Sequence, residues 1–169
     1  MSYTFDSWVA AVANAIVEAP ADPNFTGILS SAIDYAEQRL YAELDLLNTV
    51  TRISGHLTIG SRDFILPSGN GTIIVTNGIN LITPASASNT VGTGKRNQLT
   101  PVSRDFLDAV GGDQSFTGVP TNYAMITDQA IIVGPQWPDD RYLLEVIGTI
   151  RPTPLSSTNQ STYLTQFLP

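Results

Sequence analysis

The apolar residues of this chain change their period once, near Asn48, and that change limits what the chain can fold into. Before it, Phe5, Trp8, Val9, Val12 and Ile16 recur at helical spacing. Phe25, Ile28, Leu29, Ala32, Ile33, Ala36, Leu40, Leu44 and Leu47 then form a second stripe of the same period. Pro20 and Pro23 deny backbone donors between the two. The spacing therefore predicts helices over about Tyr3 to Glu18 and Asn24 to Leu47, with Asp34, Glu37, Arg39 and Glu43 on the polar face of the second. Neither stripe can be covered by the other alone, so the helical hairpin is expected to pack on the remainder of the chain.

From Thr49 onward the sequence reads as β structure. Thr49 to Ser54 is rich in β-branched residues, and His56 to Ile59 and Asp63 to Leu66 are short strand candidates around Gly60-Ser61. Thr72 to Thr76 and Ile79 to Ile82 flank Asn77-Gly78, a pair that accepts the positive φ angles of a type I′ turn, so a hairpin is expected there. Further strands are expected at Asn122 to Thr127, Gln129 to Val133 and Tyr142 to Ile150. Ser103 has the look of an N-cap for a short helix closed by Gly111-Gly112. The fold class expected is α+β: an N-terminal helical hairpin packed on a mainly antiparallel β domain, with one short extra helix and an extended C-terminal tail.

Residues 84–98 are poor in large apolar groups and long for a connection, which predicts an exposed loop with Lys95 and Arg96 at its basic tip. At the C-terminus, a polar run from Ser156 to Thr162 leads to the apolar cluster Tyr163, Leu164, Phe167 and Leu168. That pattern fits a docking peptide on a tether, and equally the stub of a helix packed on its own domain. The organisation expected is one domain over residues 1–155, comprising a hairpin (1–48) and a β-rich part (49–155), and a tail over 156–169.

Composition narrows the function. The absence of cysteine excludes disulfides, thiolate metal sites and a cysteine nucleophile together. Net charge is −7 and Lys95 is the only lysine, so counterion release offers little to nucleic-acid binding. Residues 1–48 hold seven acids against Arg39 alone. Only 14% of residues are charged while Ser, Thr, Asn and Gln number 50, which gives a neutral polar surface that is easily desolvated against a partner. The N-terminus lacks the basic and apolar regions of a signal peptide, and no stretch is apolar for long enough to span a membrane.

Catalytic motifs fare poorly. Any Ser-His-Asp or histidine–metal site must use His56, and no supporting motif surrounds it. Gly92-Thr93-Gly94-Lys95-Arg96 is not a phosphate loop, because Arg96 stands where a hydroxyl should hold magnesium and Asn89 stands at the earlier glycine position. Asp139-Asp140 are adjacent turn residues and not a convergent pair. No enzyme activity, cofactor or metal is expected. Trp137, between Gln136 and Pro138, is read either as a lid over the sheet or as an interface anchor.

Three motifs carry a resemblance. Ala32 to Leu47 is similar to the long second helix of the head-to-tail adaptor (connector) proteins of tailed bacteriophages. Gly118 to Ala124 with Ile131 to Pro138 resembles their Pro-Tyr and Pro-x-Pro strand pair, and Tyr142 to Ser156 their final strand and exit. The resemblance implies a homo-oligomeric ring, a dodecamer, in the virion neck. It also implies synthesis in the host bacterial cytoplasm, the portal protein and a tail nozzle or tail-tube protein as partners, and DNA passing through the channel without specific binding. Trp137, Tyr163, Leu164, Phe167, Leu168, Lys95 and Arg96 are the interface candidates. Family members commonly continue with further helix beyond a Leu-Pro like Leu168-Pro169. A small β-rich module that binds a ligand or carbohydrate, or a hydrolase using paired acids, are the competing classes.

Overall fold

The computed structural model describes residues 3–44, 46–68, 71–86 and 88–167. The chain divides into two compact units, one formed by residues 1–49 with 152–169 and the other by residues 50–151.

In the first unit, α1 (Phe5–Ile16) begins at a capping box: Thr4 Oγ1 accepts from the Ser7 amide, and Ser7 Oγ accepts from the Thr4 amide at 2.8 Å. It ends at Val17, whose φ of 61° lies in the left-handed region. α2 (Pro23–Glu43) starts with Asp22 accepting from the Asn24 and Phe25 amides, and with Pro23 in the first turn, where its missing N–H costs nothing. The helix stops at Glu43, short of the expected Leu47, because Leu44 turns extended and a 3₁₀ turn at Leu47–Thr49 comes next.

The buried stripe of α2 is Phe25, Leu29, Ile33 and Glu37, each four residues from the last, while Ile28 and Leu47 lie on the surface. Glu37, expected on the polar face, is thus inside. Phe25, Leu29 and Ile33 of the stripe pack with Val9, Ala13 and Leu155 into one apolar cluster, flanked by Phe5, Trp8 and Val12. The C-terminal segment is therefore part of the helical unit's own core.

The second unit holds two four-stranded sheets. The first has the order β1 (Val50–His56), β10 (Leu143–Pro152), β3 (Gly71–Thr83), β4 (Lys95–Gln98). The second has the order β2 (Asp63–Ile65), β8 (Ala130–Gly134), β7 (Asn122–Thr127), β5 (Thr100–Pro101). A two-stranded pair joins β6 (Thr117–Gly118) to β9 (Trp137–Pro138). β1 with β10, β3 with β4, β2 with β8 and β7 with β8 are antiparallel, and the short β5–β7 and β6–β9 pairs are parallel. Both large sheets feed one core, which includes Ile73, Ile79, Leu81, Leu144 and Val146 from the first and Phe64, Tyr123, Ile131 and Val133 from the second. α3 (Arg104–Gly111), capped by Ser103, sets Leu107 against Ala124 and Ile132 of the second sheet.

Three expectations for the β region are corrected. Asn77-Gly78 is no turn, since β3 runs unbroken from Gly71 to Thr83. Asn-Gly permits positive φ without demanding it, and Gly78 does not adopt it. A two-residue hairpin would have set Ile74 on the face of Leu81 and Ile73 on that of Ile82. Instead Ile73, Ile79 and Leu81 share the core while Ile74 stays 61% exposed, so core burial on one continuous face overrode the turn signal. Likewise the 84–98 loop is shorter than expected: Lys95 to Gln98 pair with Thr83 to Asn80 as an edge strand. Of the strand expected at His56 to Ile59, only His56 is in β1.

Candidate interaction site

The second unit has a polar centre on its first sheet. Glu145 of β10 has a fully buried side chain, and every strand of that sheet meets it. Arg52 of β1 donates through Nε to Oε1, Arg96 of β4 donates through Nε to Oε2 at 3.0 Å, and Asn80 of β3 donates to Oε2 at 2.9 Å. Burial alone would raise the carboxyl's pKa. The Asn80, Arg52 and Arg96 donors outweigh it and hold the group below its ordinary value.

Both guanidiniums also donate, through Nη2, to the Val91 carbonyl. The connecting loop over residues 84–94 is thereby fastened to the sheet that Arg96 belongs to. Arg96, expected at a free loop tip, is a structural clamp, whereas Lys95 is exposed and without an ion-pair partner among the described residues.

Trp137 is held from two sides. Its indole Nε1 donates to the Gly111 carbonyl at 2.8 Å, and the guanidinium of Arg62 lies 5.6 Å from its ring centroid. Arg62 is itself buried and bonds Val133 O and Asp108. Trp137 is half-buried in this arrangement.

The C-terminal segment carries the other candidates. α4 (Tyr163–Phe167) places Leu164 and Thr165 inside the helical unit, leaves Tyr163 half-buried and leaves Phe167 63% exposed. The Tyr163 and Phe167 rings are 4.8 Å apart. Leu168 lies outside the described residues. The segment is anchored by backbone bonds from Tyr3 to Thr165 and from Phe5 to Gln160, and by Glu37, which accepts from the Leu155 amide and from Thr162 Oγ1. A groove of about 380 Å³ opens in this unit, lined by Trp8, Val12, Ile33, Ala36, Leu40 and Leu155, with Glu37 its one charged wall. Leu164 thus contributes to the fold of its own unit, and among the described residues of the cluster Phe167 and part of Tyr163 face outward.

Neither the Glu145 centre nor the burial of Glu37 was anticipated. The signal available for Glu145 was its place amid apolar residues of a strand, Leu143-Leu144-Glu145-Val146, since a charge buried there requires partners.

His56 is exposed on the edge strand β1. Among the described residues, no three of His, Asp and Glu come together as a metal cage, and no helix is long and apolar enough to cross a membrane. Asp139 accepts from the Tyr142 hydroxyl at 2.7 Å, while Asp140 accepts from the Arg141 amide, so the two acids serve separate local bonds.

Compared with known families, the chain matches the one described as SU10 adaptor protein over residues 3–169. No curated protein matches it.

Proposed function

This chain belongs to the SU10 adaptor protein family, and from that premise we propose that it assembles as a dodecameric ring in the neck of a tailed phage, between the portal and the tail nozzle or tail tube. The family places it among phage adaptor proteins, whose work is structural. The match over nearly the whole chain is the observation that carries the reading.

The surface chemistry supports it. Ile28, Tyr35, Leu44, Leu47 and Phe167 are large apolar side chains left on the surface of the helical unit, where a protein that stayed alone would favour polar ones. A ring closes through a heterologous contact, in which each copy offers two unlike surfaces. With net charge −7 and one lysine, the protein repels phosphate, so DNA crosses the channel without being held. Lys95, Phe167 and Tyr163 are the residues we assign to neighbouring subunits or rings. Arg96 holds the strand that carries Lys95, and Leu164 holds the helix that carries Tyr163 and Phe167.

Imaging of assembled particles tests the reading. Twelve copies as a ring at the portal–tail junction are expected, and particles made without this protein should keep filled heads but lack tails. Density for the protein anywhere other than the neck would overturn it.

A further inference from the structure

The first sheet of the β unit has two open edges. β10 covers one side of β1 along all seven residues, Val50–His56, and no described strand lies on its other side. β4 covers β3 only at Asn80 to Thr83, and the Leu99 amide reaches Ile79 O. Eight residues of β3, Gly71 to Gly78, are therefore left without a described strand on that side.

This second edge lacks the devices that keep strand edges from pairing. Thr72-Ile73-Ile74-Val75-Thr76 contains no charge, proline or glycine, with Ile74 61% and Val75 53% exposed. A groove of about 310 Å³ runs beside it, with Leu66, Thr72, Ile74, Thr76, Met125 and Asp128 among its walls.

We infer that β1 of a second copy adds to this edge, so that the sheet of one subunit continues into the sheet of the next. The inference rests on the ring reading and names its contact. Directions agree: Val75 lies beside Gly148 and Asn80 beside Glu145, so β3 runs opposite to β10, as β1 does, and a rotated copy presents β1 parallel to β3. Faces agree as well. Ile53 packs on the core side, where Val75 follows Ile73, and Arg52 shares the Glu145 side with Ile74.

Charge does not oppose the contact, since β1 carries no acid and Asp128 stands on the groove wall. The area is modest: a seven-residue strand supplies only part of the roughly 1,000 Å² that a stable pair needs. Rings should therefore form on a portal template and not in dilute solution.

The absence of native cysteine makes crosslinking clean. Val75→Cys is combined in turn with Thr51→Cys and with Ile53→Cys, and Ile74→Cys with Val50→Cys and with Ser54→Cys, in assembled particles. Within one chain β10 separates the paired positions by two strand spacings, about 9.6 Å, beyond the roughly 7 Å limit for a disulfide. Any disulfide formed must then join two copies.

At least one pair is expected to give covalent oligomers on oxidation. The exposed-site variant Ile74→Lys with Val75→Lys is expected to melt like wild type and to fall at least tenfold in neck occupancy. Full wild-type-like rings in all four cysteine variants with no covalent oligomers would overturn the inference and leave the ring reading standing, as would undiminished occupancy of the lysine variant. Wild-type protein missing from the neck would overturn both.

Discussion

Glu37, midway along α2, accepts a hydrogen bond at 3.2 Å from the amide of Leu155, which lies 118 residues further along the chain. The same carboxyl accepts from Thr162 Oγ1, so one buried side chain fastens the C-terminal segment at two points. Removing it leaves a buried amide without its acceptor, a cost of about 1–3 kcal/mol. Glu37→Ala is expected to lower the unfolding free energy from urea titration by that amount. It should also expose residues 152–167 to hydrogen exchange ahead of α1 and α2, and equal protection in the two would show that the tie is not where the segment is held.

Val17 closes α1 in the left-handed conformation, with φ 61° and 90% of its surface exposed. A β-branched residue pays about 1–2 kcal/mol there and gains no packing in return. Val17→Gly is expected to raise stability by about 1 kcal/mol, read as a higher melting temperature with unchanged helix content. A loss would mean that Val17 has a contact that compensates for its strain.

The boundaries that were legible in the sequence are those fixed by local chemistry. Ser103 opens α3 where expected because its side chain accepts from the Phe106 amide, and α2 begins within a residue of the expected Asn24 because Asp22 accepts from the Asn24 and Phe25 amides. Features set by distant residues were hidden. Glu37 reads as a polar-face residue until Leu155 and Thr162 arrive to bond it, and Arg96 reads as a loop tip until Glu145 does. Asn77-Gly78 misled for the same reason, because turn preference is local and the core that straightens β3 is not. Among the candidate site residues, Lys95 could be read as exposed from its polar surroundings, while the split between buried Leu164 and exposed Phe167, and the open edge of β3, emerge only once their neighbours are known.

Gly78 gives that last contrast a measurement. A Cβ added there meets nothing within 4 Å, and the residue is not in the positive-φ region. Gly78→Ala is expected to be neutral or to stabilise by up to about 1 kcal/mol, through lost freedom in the unfolded chain. A type I′ turn would instead make the same change destabilising, so chemical denaturation separates the two backbones.

Glu145 ties four strands through charge, and that fixes the sign of its pH dependence. Its carboxyl is held below the ordinary value of 4.5, so the folded state binds the proton more weakly than the unfolded chain does. The stabilisation is complete above that ordinary value and is lost as pH falls through the folded one. Glu145→Gln leaves two arginines short of a carboxylate and is expected to cost about 3 kcal/mol at pH 7. The gap to wild type should narrow as the medium is made acid enough to protonate the folded carboxyl. A gap that stayed constant in acid would show that the loss is one of packing and not of charge.

Tyr142 shapes the opposite end of the pH range. Burial pushes its phenol up from 10.0 to about 12, aided by the hydrogen bond to Asp139 and by the charges of Asp139 and Asp140. The folded state therefore keeps this proton when the unfolded chain has lost it, so the contribution is fully present below pH 10 and disappears as pH rises toward 12. Tyr142→Phe removes the titrating group and its bond to Asp139, which is expected to cost about 1 kcal/mol at neutral pH. The variant should then lose less stability than wild type between pH 10 and 12, as read from denaturant midpoints across that interval. Parallel alkaline limbs in the two proteins would place the raised phenol elsewhere.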